Sequence, residues 1–244
     1  MNNHNIFILS PITEILRNSI KATAGIGSGI ETFPLCDYVM QSVFLKMTGF
    51  QEQKMKCICW ELATNDYEYR YERYTTKTLG ECSSYSEKMS IYQDIVKQIG
   101  KHIVDFDIST GIDKTAILSK TTSEITSIFS NTNLSIWTQK NFNDFKNIWR
   151  DVQNMHFAND KNNLFTATNT GISLRNIYDN HLYKHRNRCA HNTQSYQQNL
   201  PTLKTLVNEN YKYENYFIWF ALLVLIDKIF ISLYEKYLDV LNDN

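Results

Sequence analysis

Apolar residues recur at intervals of three and four along most of this chain, which predicts a helical protein. From 34 to about 62, Leu35, Tyr38, Val39, Val43 and Met47, then Met55, Ile58, Cys59 and Leu62, trace one or two amphipathic helices. Further helices are expected at about 85 to 104, 112 to 130 and 135 to 156. In the last of these, Trp137, Phe142, Phe145, Ile148, Trp149 and Val152 form a broad apolar face of the kind that seals a bundle. A helix from Gly171 or Ile172 to about His191 should bury Leu174, Ile177, Tyr178 and Leu182, with Cys189 at the margin. The longest is expected from 211 to about 241, where Phe217, Phe220, Leu223, Leu225, Ile229, Leu233, Tyr237 and Leu241 leave almost no polar face. Such a helix is central to a fold or is a dimer face.

Breakers are scarce, with three prolines and eight glycines. Ser10-Pro11 opens a helix expected to run to about Lys21, and 22 to 33, with Gly25, Gly27 and Gly29, reads as a loop. That glycine cluster has neither the Lys-Ser/Thr ending nor the spacing of a phosphate-binding loop. The polar stretch 158 to 171, with Asn159, Asn162, Asn163 and Asn169, reads as a surface loop, and 192 to 200, before Pro201, as a connection. Tyr67, Tyr69, Tyr71 and Tyr74 alternate with charged residues, as a short strand or an exposed helical start would. They are either half-buried tyrosines with wetted hydroxyls or a platform on which bases could stack.

The fold class read from this pattern is all-α, in a single domain spanning 1 to 244. Its N-terminal helical part runs to about 130, and a core from about 131 to 244 holds the helix ending at His191 and the long C-terminal helix. Lys and Arg number 25 against 25 Asp and Glu, so no global basic field draws in nucleic acid and any affinity for it must be local. Five cysteines (Cys36, Cys57, Cys59, Cys82, Cys189), with no apolar leader before them, suit a reducing cytoplasm. The apolar run Tyr216 to Ile226 is 11 residues and is ended by Asp227-Lys228, so it reads as core rather than membrane. Cys57-x-Cys59 lacks the paired spacing of a zinc site, and no metal or cofactor is expected.

One stretch stands out for its chemistry. Residues 186 to 191 read Arg-Asn-Arg-Cys-Ala-His, offering a permanent cation for a phosphate and an imidazole that exchanges protons near neutral pH. With seven Arg and six His, an arginine this far before a histidine is commonplace, and Arg175 with His181 makes a second case. Requiring Asn after the arginine and Ala before the histidine lowers the chance expectation to about 0.0006 per chain.

Arg186-Asn187-x-x-Ala190-His191 at the end of a helix resembles the signature of the HEPN superfamily. The resemblance covers roughly 172 to 192, with weaker support from the long apolar helix that follows. It implies a compact up-and-down bundle of four or five helices, here with additional N-terminal helices, that dimerises so that two copies of the motif face each other. In many members it also implies a metal-independent endoribonuclease, often a toxin or an antiviral defence effector. Members neutralised by adenylylation carry a tyrosine two places after the histidine; here that position is Thr193 and the next tyrosine is Tyr196, which argues against control by a nucleotidyltransferase antitoxin.

Read as chemistry, Arg186, Asn187 and His191 are the candidate catalytic residues. Arg186 would grip phosphate oxygens, His191 would move a proton, and Asn187 would orient the phosphate or the imidazole. Positions five apart on a helix diverge by about 140°. Either the helix ends between Arg186 and His191, or the arginine works with the histidine of a second copy. Arg188, Lys184, His185 and Arg175 complete a basic stretch facing one local carboxylate, Asp179, and are candidate contacts to RNA phosphates; a solvated helix end is the other reading of these flanking cations. The partners expected are therefore RNA (tRNA, rRNA or mRNA), a second copy of the chain, and an antitoxin or defence-system protein, with no membrane. The competing expectation is a non-catalytic RNA-binding, assembly or antitoxin module.

Overall fold

The computed structural model describes residues 3–27, 29–167, 171–191 and 209–242, without the side chains of Ile30, His191, Glu209 and Asn210. The chain is all-α apart from one hairpin. In order it forms α1 (Asn3–Leu9), α2 (Thr13–Thr23), α3 (Phe33–Asn65), α4 (Tyr67–Tyr71), α5 (Tyr85–His102), α6 (Ile108–Gly111), α7 (Lys114–Phe129), α8 (Asn133–Trp137) and α9 (Gln139–Trp149). The strands β1 (Phe157–Asp160) and β2 (Asn163–Phe165) follow, then α10 (Leu174–Ile177), α11 (Tyr183–His191) and α12 (Tyr216–Asn242).

The core is built around α12, whose near-continuous apolar run has α3, α5, α7 and α9 packed along it, with α1 across one part. Phe217 meets Phe129 and Phe142 at ring distances of 5.0 Å, and Phe220 stacks on Phe129 at 5.6 Å. By length and composition α12 could cross a membrane, with mean hydropathy 2.1 over its most apolar window, but 78% of that window is buried inside the protein. The residues from 1 to about 130 do not form a separate core: α3, α5 and α7 supply most of the surface that α12 buries, and one contiguous apolar cluster runs from Ile8 to Val240.

Several expectations are refined. The stretch 34 to 62 is one helix of 33 residues, roughly 50 Å long, because nothing between Pro34 and Asn65 breaks it. The alternating tyrosines are helical: α4 continues into a π-wound turn, Glu72–Thr76, which leaves Tyr67, Tyr71 and Tyr74 exposed. Tyr69 points inward instead and donates to Asp94 Oδ2 at 2.9 Å. The expected helix 135 to 156 is interrupted at Thr138, between α8 and α9, and ends at Trp149. The expected loop 158 to 171 contains the hairpin, with Phe157 paired to Phe165 and a turn in which Asp160 Oδ1 accepts from the backbone N–H groups of Asn162 and Asn163 at 2.7 and 2.9 Å. The polar tip hid four buried residues, Phe157, Ala158, Leu164 and Phe165. α5 begins where a capping box dictates: Ser84 Oγ accepts from Glu87 N–H, and the Glu87 carboxylate accepts from Ser84 N–H at 3.0 Å. The connection expected at 192 to 200 lies outside the described residues.

Two charges are enclosed at the centre. Lys54 of α3 donates to Asp227 of α12 at 2.5 Å and to the Ser10 carbonyl at 2.6 Å, while Asp227 accepts from Ile12 N–H at 2.9 Å. Both side chains are essentially inaccessible, at 0% and 1% exposure. Burial pushes the Asp227 carboxyl up and the Lys54 amine down, and their mutual contact opposes both shifts. Three residues before Lys54, at the same contact between these helices, Gln51 donates to the Leu223 carbonyl at 3.0 Å. Lys54→Met or Asp227→Leu alone leaves one buried charge without its partner and is expected to cost about 3–5 kcal/mol in urea denaturation. The double variant should recover most of that loss, whereas single variants as stable as wild type would show that the pair does not hold these helices together.

Candidate active site on the motif helix

The helix carrying the hexad begins at Ser173, whose Oγ accepts from Asn176 N–H at 3.3 Å, and this cap explains why it starts two residues later than the apolar spacing suggests. α10 runs without interruption into a π-wound turn, Tyr178–Leu182, and then into α11. Leu174, Ile177, Tyr178, His181 and Leu182 face the core. Wide turns of this kind occur disproportionately at functional sites.

The helix continues through His191, so it does not end between Arg186 and His191. Of the two geometries that could unite an arginine and a histidine five positions apart, the break is therefore absent. The His191 side chain lies outside the described part of the structure, as do Thr193 and Tyr196. Arg186 and Asn187 are brought together: Arg186 Nη1 donates to Asn187 Oδ1 at 3.1 Å. Arg186 Nη2 donates to both carboxylate oxygens of Glu52 on α3, at 3.0 and 3.2 Å. Its side chain is 19% exposed and that of Glu52 11%, so the pair is recessed but open at one edge.

The other cations separate. Lys184 is exposed on the helix surface. Arg188 reaches Glu214 Oε2 at 3.3 Å, and the other oxygen of Glu214 pairs with Nδ1 of buried His181 at 2.9 Å. Arg175 is exposed, lies 3.6 Å from Asp179 and sits over the Tyr85 ring at 5.3 Å. The stretch that looks basic along the chain thus meets three carboxylates in the fold: Glu52, Asp179 and Glu214. Exposed ion pairs such as Arg175–Asp179 hold little energy and leave their cations exchangeable for a phosphate.

His185 departs from expectation. Its Nε2 lies 2.9 Å from Tyr216 Oη and 3.3 Å from Cys189 Sγ, and its ring packs on Trp219 at 4.6 Å and on Phe44 at 5.5 Å. Burial, reinforced by the nearby charge of Arg188, pushes its pKa down to about 4. A neutral ring in an aromatic box offers no charge to RNA; it docks the motif helix onto α3 and α12.

Lys88 of α5 is almost fully enclosed, and Glu52 is the foremost of the charges that act on it. Lys88 donates to the Cys82 carbonyl at 2.6 Å and faces the Tyr178 ring at 5.8 Å. Neither Glu52 nor Lys88 was singled out by the sequence. A signal did exist: Lys88 falls on the apolar face marked by Tyr85, Ile91, Tyr92 and Ile95, and Gln51, Glu52 and Lys54 interrupt the buried face of α3 between Met47 and Met55. Polar residues at core positions need partners, and for Glu52 that partner is Arg186. Among the described residues, no group of three or more His, Cys, Asp or Glu side chains could hold a metal ion.

Compared with models of known families, with curated proteins and with solved structures, the chain matches none. The fold and the site therefore define its class by themselves: an all-α protein in which Arg186 and Asn187 of a π-interrupted helix form a recessed cluster with Glu52 of α3.

His185 gives a pH test of this packing. Its folded pKa, about 4, lies below the unfolded value of about 6.5, so its contribution is complete above pH 6.5 and is lost as pH falls towards 4. Between pH 7 and 4.5 the wild type should lose about 2–3 kcal/mol more stability than His185→Phe, which keeps the ring but cannot protonate. Parallel losses in the two proteins would place His185 in water.

Proposed function

We propose that this chain is a metal-independent endoribonuclease of HEPN type, acting in the cytoplasm as a toxin or antiviral defence effector. The observation that carries the reading is the Arg186–Asn187 pair, 3.1 Å apart, on a helix that runs unbroken to His191. Positions five apart on a regular helix lie about 140° apart around its axis, which favours a site composed from two copies of the chain.

In the proposed reaction a ribose 2′-hydroxyl gives its proton to one His191 and its oxygen attacks the adjacent phosphorus. The bond to the 5′-oxygen breaks, and that oxygen takes up the proton His191 has just accepted, so one imidazole from one copy works with the arginine of the other. The products are a 2′,3′-cyclic phosphate and a 5′-hydroxyl. Arg186 cannot lose its charge and balances the negative charge that gathers on the phosphoryl oxygens. Asn187, fixed beside it, orients the phosphate. Lys184, Arg188 and Arg175 are exposed and would follow the RNA backbone.

The second reading, a non-catalytic RNA-binding, assembly or antitoxin module, is favoured by a specific contact: Arg186 already has a carboxylate partner in Glu52. The two readings differ in product. In EDTA, the purified protein is expected to cut tRNA, rRNA or mRNA to cyclic-phosphate ends, and Arg186→Ala or His191→Ala should slow this by about 10²- to 10⁴-fold. RNA retention without such ends supports the second reading. Wild type and both variants leaving all three RNAs intact would end the nuclease proposal for the isolated chain.

A further inference from the structure

We infer that Glu52 and Lys88 are positioning residues for Arg186: Glu52 fixes one edge of the guanidinium to α3, and Lys88 offsets the charge of Glu52 so that the open edge still attracts a phosphodiester. The inference rests on the reading of Arg186 as the group that faces phosphate.

Geometry is the first support. Arg186 Nη2 is held by both Glu52 oxygens, and Nη1 by Asn187. Glu52 lies in the middle of α3 and is flanked by Gln51 and Lys54, which bond to Leu223 and Asp227 of α12. A carboxylate on so constrained a segment, itself only 8% exposed, cannot swing into water without stranding its partners. It is an anchor and not a gate.

Charge is the second. An arginine cancelled by a glutamate has little pull on an anion. Lys88 changes that balance, since Glu52, Lys88 and Arg186 together hold one net positive charge. The electrostatics between them run as this requires, Glu52 favouring the Lys88 ammonium and Arg186 opposing it. Lys88 is buried between the Cys82 carbonyl, 2.6 Å away, and the Tyr178 ring of the π-turn, and burial lowers its pKa to about 8, which still leaves it charged at neutral pH. Cys82 adopts a left-handed backbone conformation, φ 61°, uncommon for a side-chain-bearing residue, and its carbonyl is the one Lys88 holds. Burying a lysine costs more than burying a methionine of similar volume, so helix packing alone does not account for a charge at this position.

The test uses Glu52→Gln, Glu52→Asp and Lys88→Met in the full chain, with single-stranded RNA in EDTA and thermal unfolding of each variant alongside. Glu52→Gln is expected to lower kcat about 10- to 100-fold while KM stays level or falls, because positioning is lost and a negative charge is removed. Glu52→Asp should recover part of kcat, and Lys88→Met should raise KM. Wild-type kcat in Glu52→Gln, or activity lost only in proportion to unfolded protein, overturns the inference. Should wild type fail to cleave, affinity for a fluorescent RNA oligonucleotide decides separately. Tighter binding by Glu52→Gln with weaker binding by Lys88→Met and Arg186→Ala supports the positioned cation without the nuclease, and equal affinities in all four proteins overturn it.

Discussion

A lysine and an aspartate sealed at the centre of this protein set the placement of everything else. Lys54 and Asp227 cannot be left alone in an apolar interior, so α3 and α12 can meet in only the register that brings them together. The same pair holds the Ser10 carbonyl and the Ile12 N–H, tying down the bend between α1 and α2. Apolar surface supplies the drive to collapse, but it is tolerant of sliding; a buried charge pair is not. With that register fixed, Phe44 of α3 and Trp219 of α12 form the two sides of the box that receives His185, and Glu52 comes to face Arg186.

The motif helix is therefore positioned by two kinds of contact. His185, Leu182 and Tyr178 press it onto the core, and Arg186 and Arg188 tie it to Glu52 and Glu214. Sequence patterning makes the first kind visible, because Leu174, Ile177, Tyr178 and Leu182 keep helical spacing and turn out to be buried. The long helices α3, α5, α7 and α12 were legible for the same reason. The hairpin was not: its buried Phe157, Leu164 and Phe165 are too few to show a period, and the asparagines between them look like any loop. The end of α9 at Trp149 was also hidden, since neither proline nor glycine marks it.

Charge compensation was the least legible part of the site. Along the chain, residues 175 to 191 face a single carboxylate; in the fold, Glu52 arrives from 134 residues away and Glu214 from beyond the end of the helix. No local window contains that information. Yet Glu52 and Lys88 left a trace as polar residues on otherwise apolar helix faces, and such positions repay attention because a buried polar group obliges a partner. The hexad's arginine is consequently a held group, with one edge committed inward and the other open, and its neighbour Asn187 shares that orientation.

A cation held in this way on an unbroken helix lies five positions from the histidine of its own hexad, and in the proposed reaction the two come from different copies. Mixing purified Arg186→Ala and His191→Ala proteins, allowing subunits to exchange, and following RNA cleavage tests this directly. Each mixed dimer would contain one intact arginine–histidine pair, so two inactive proteins should together regain about a quarter of wild-type activity. A mixture as inactive as its components, with exchange verified, would contradict the shared site.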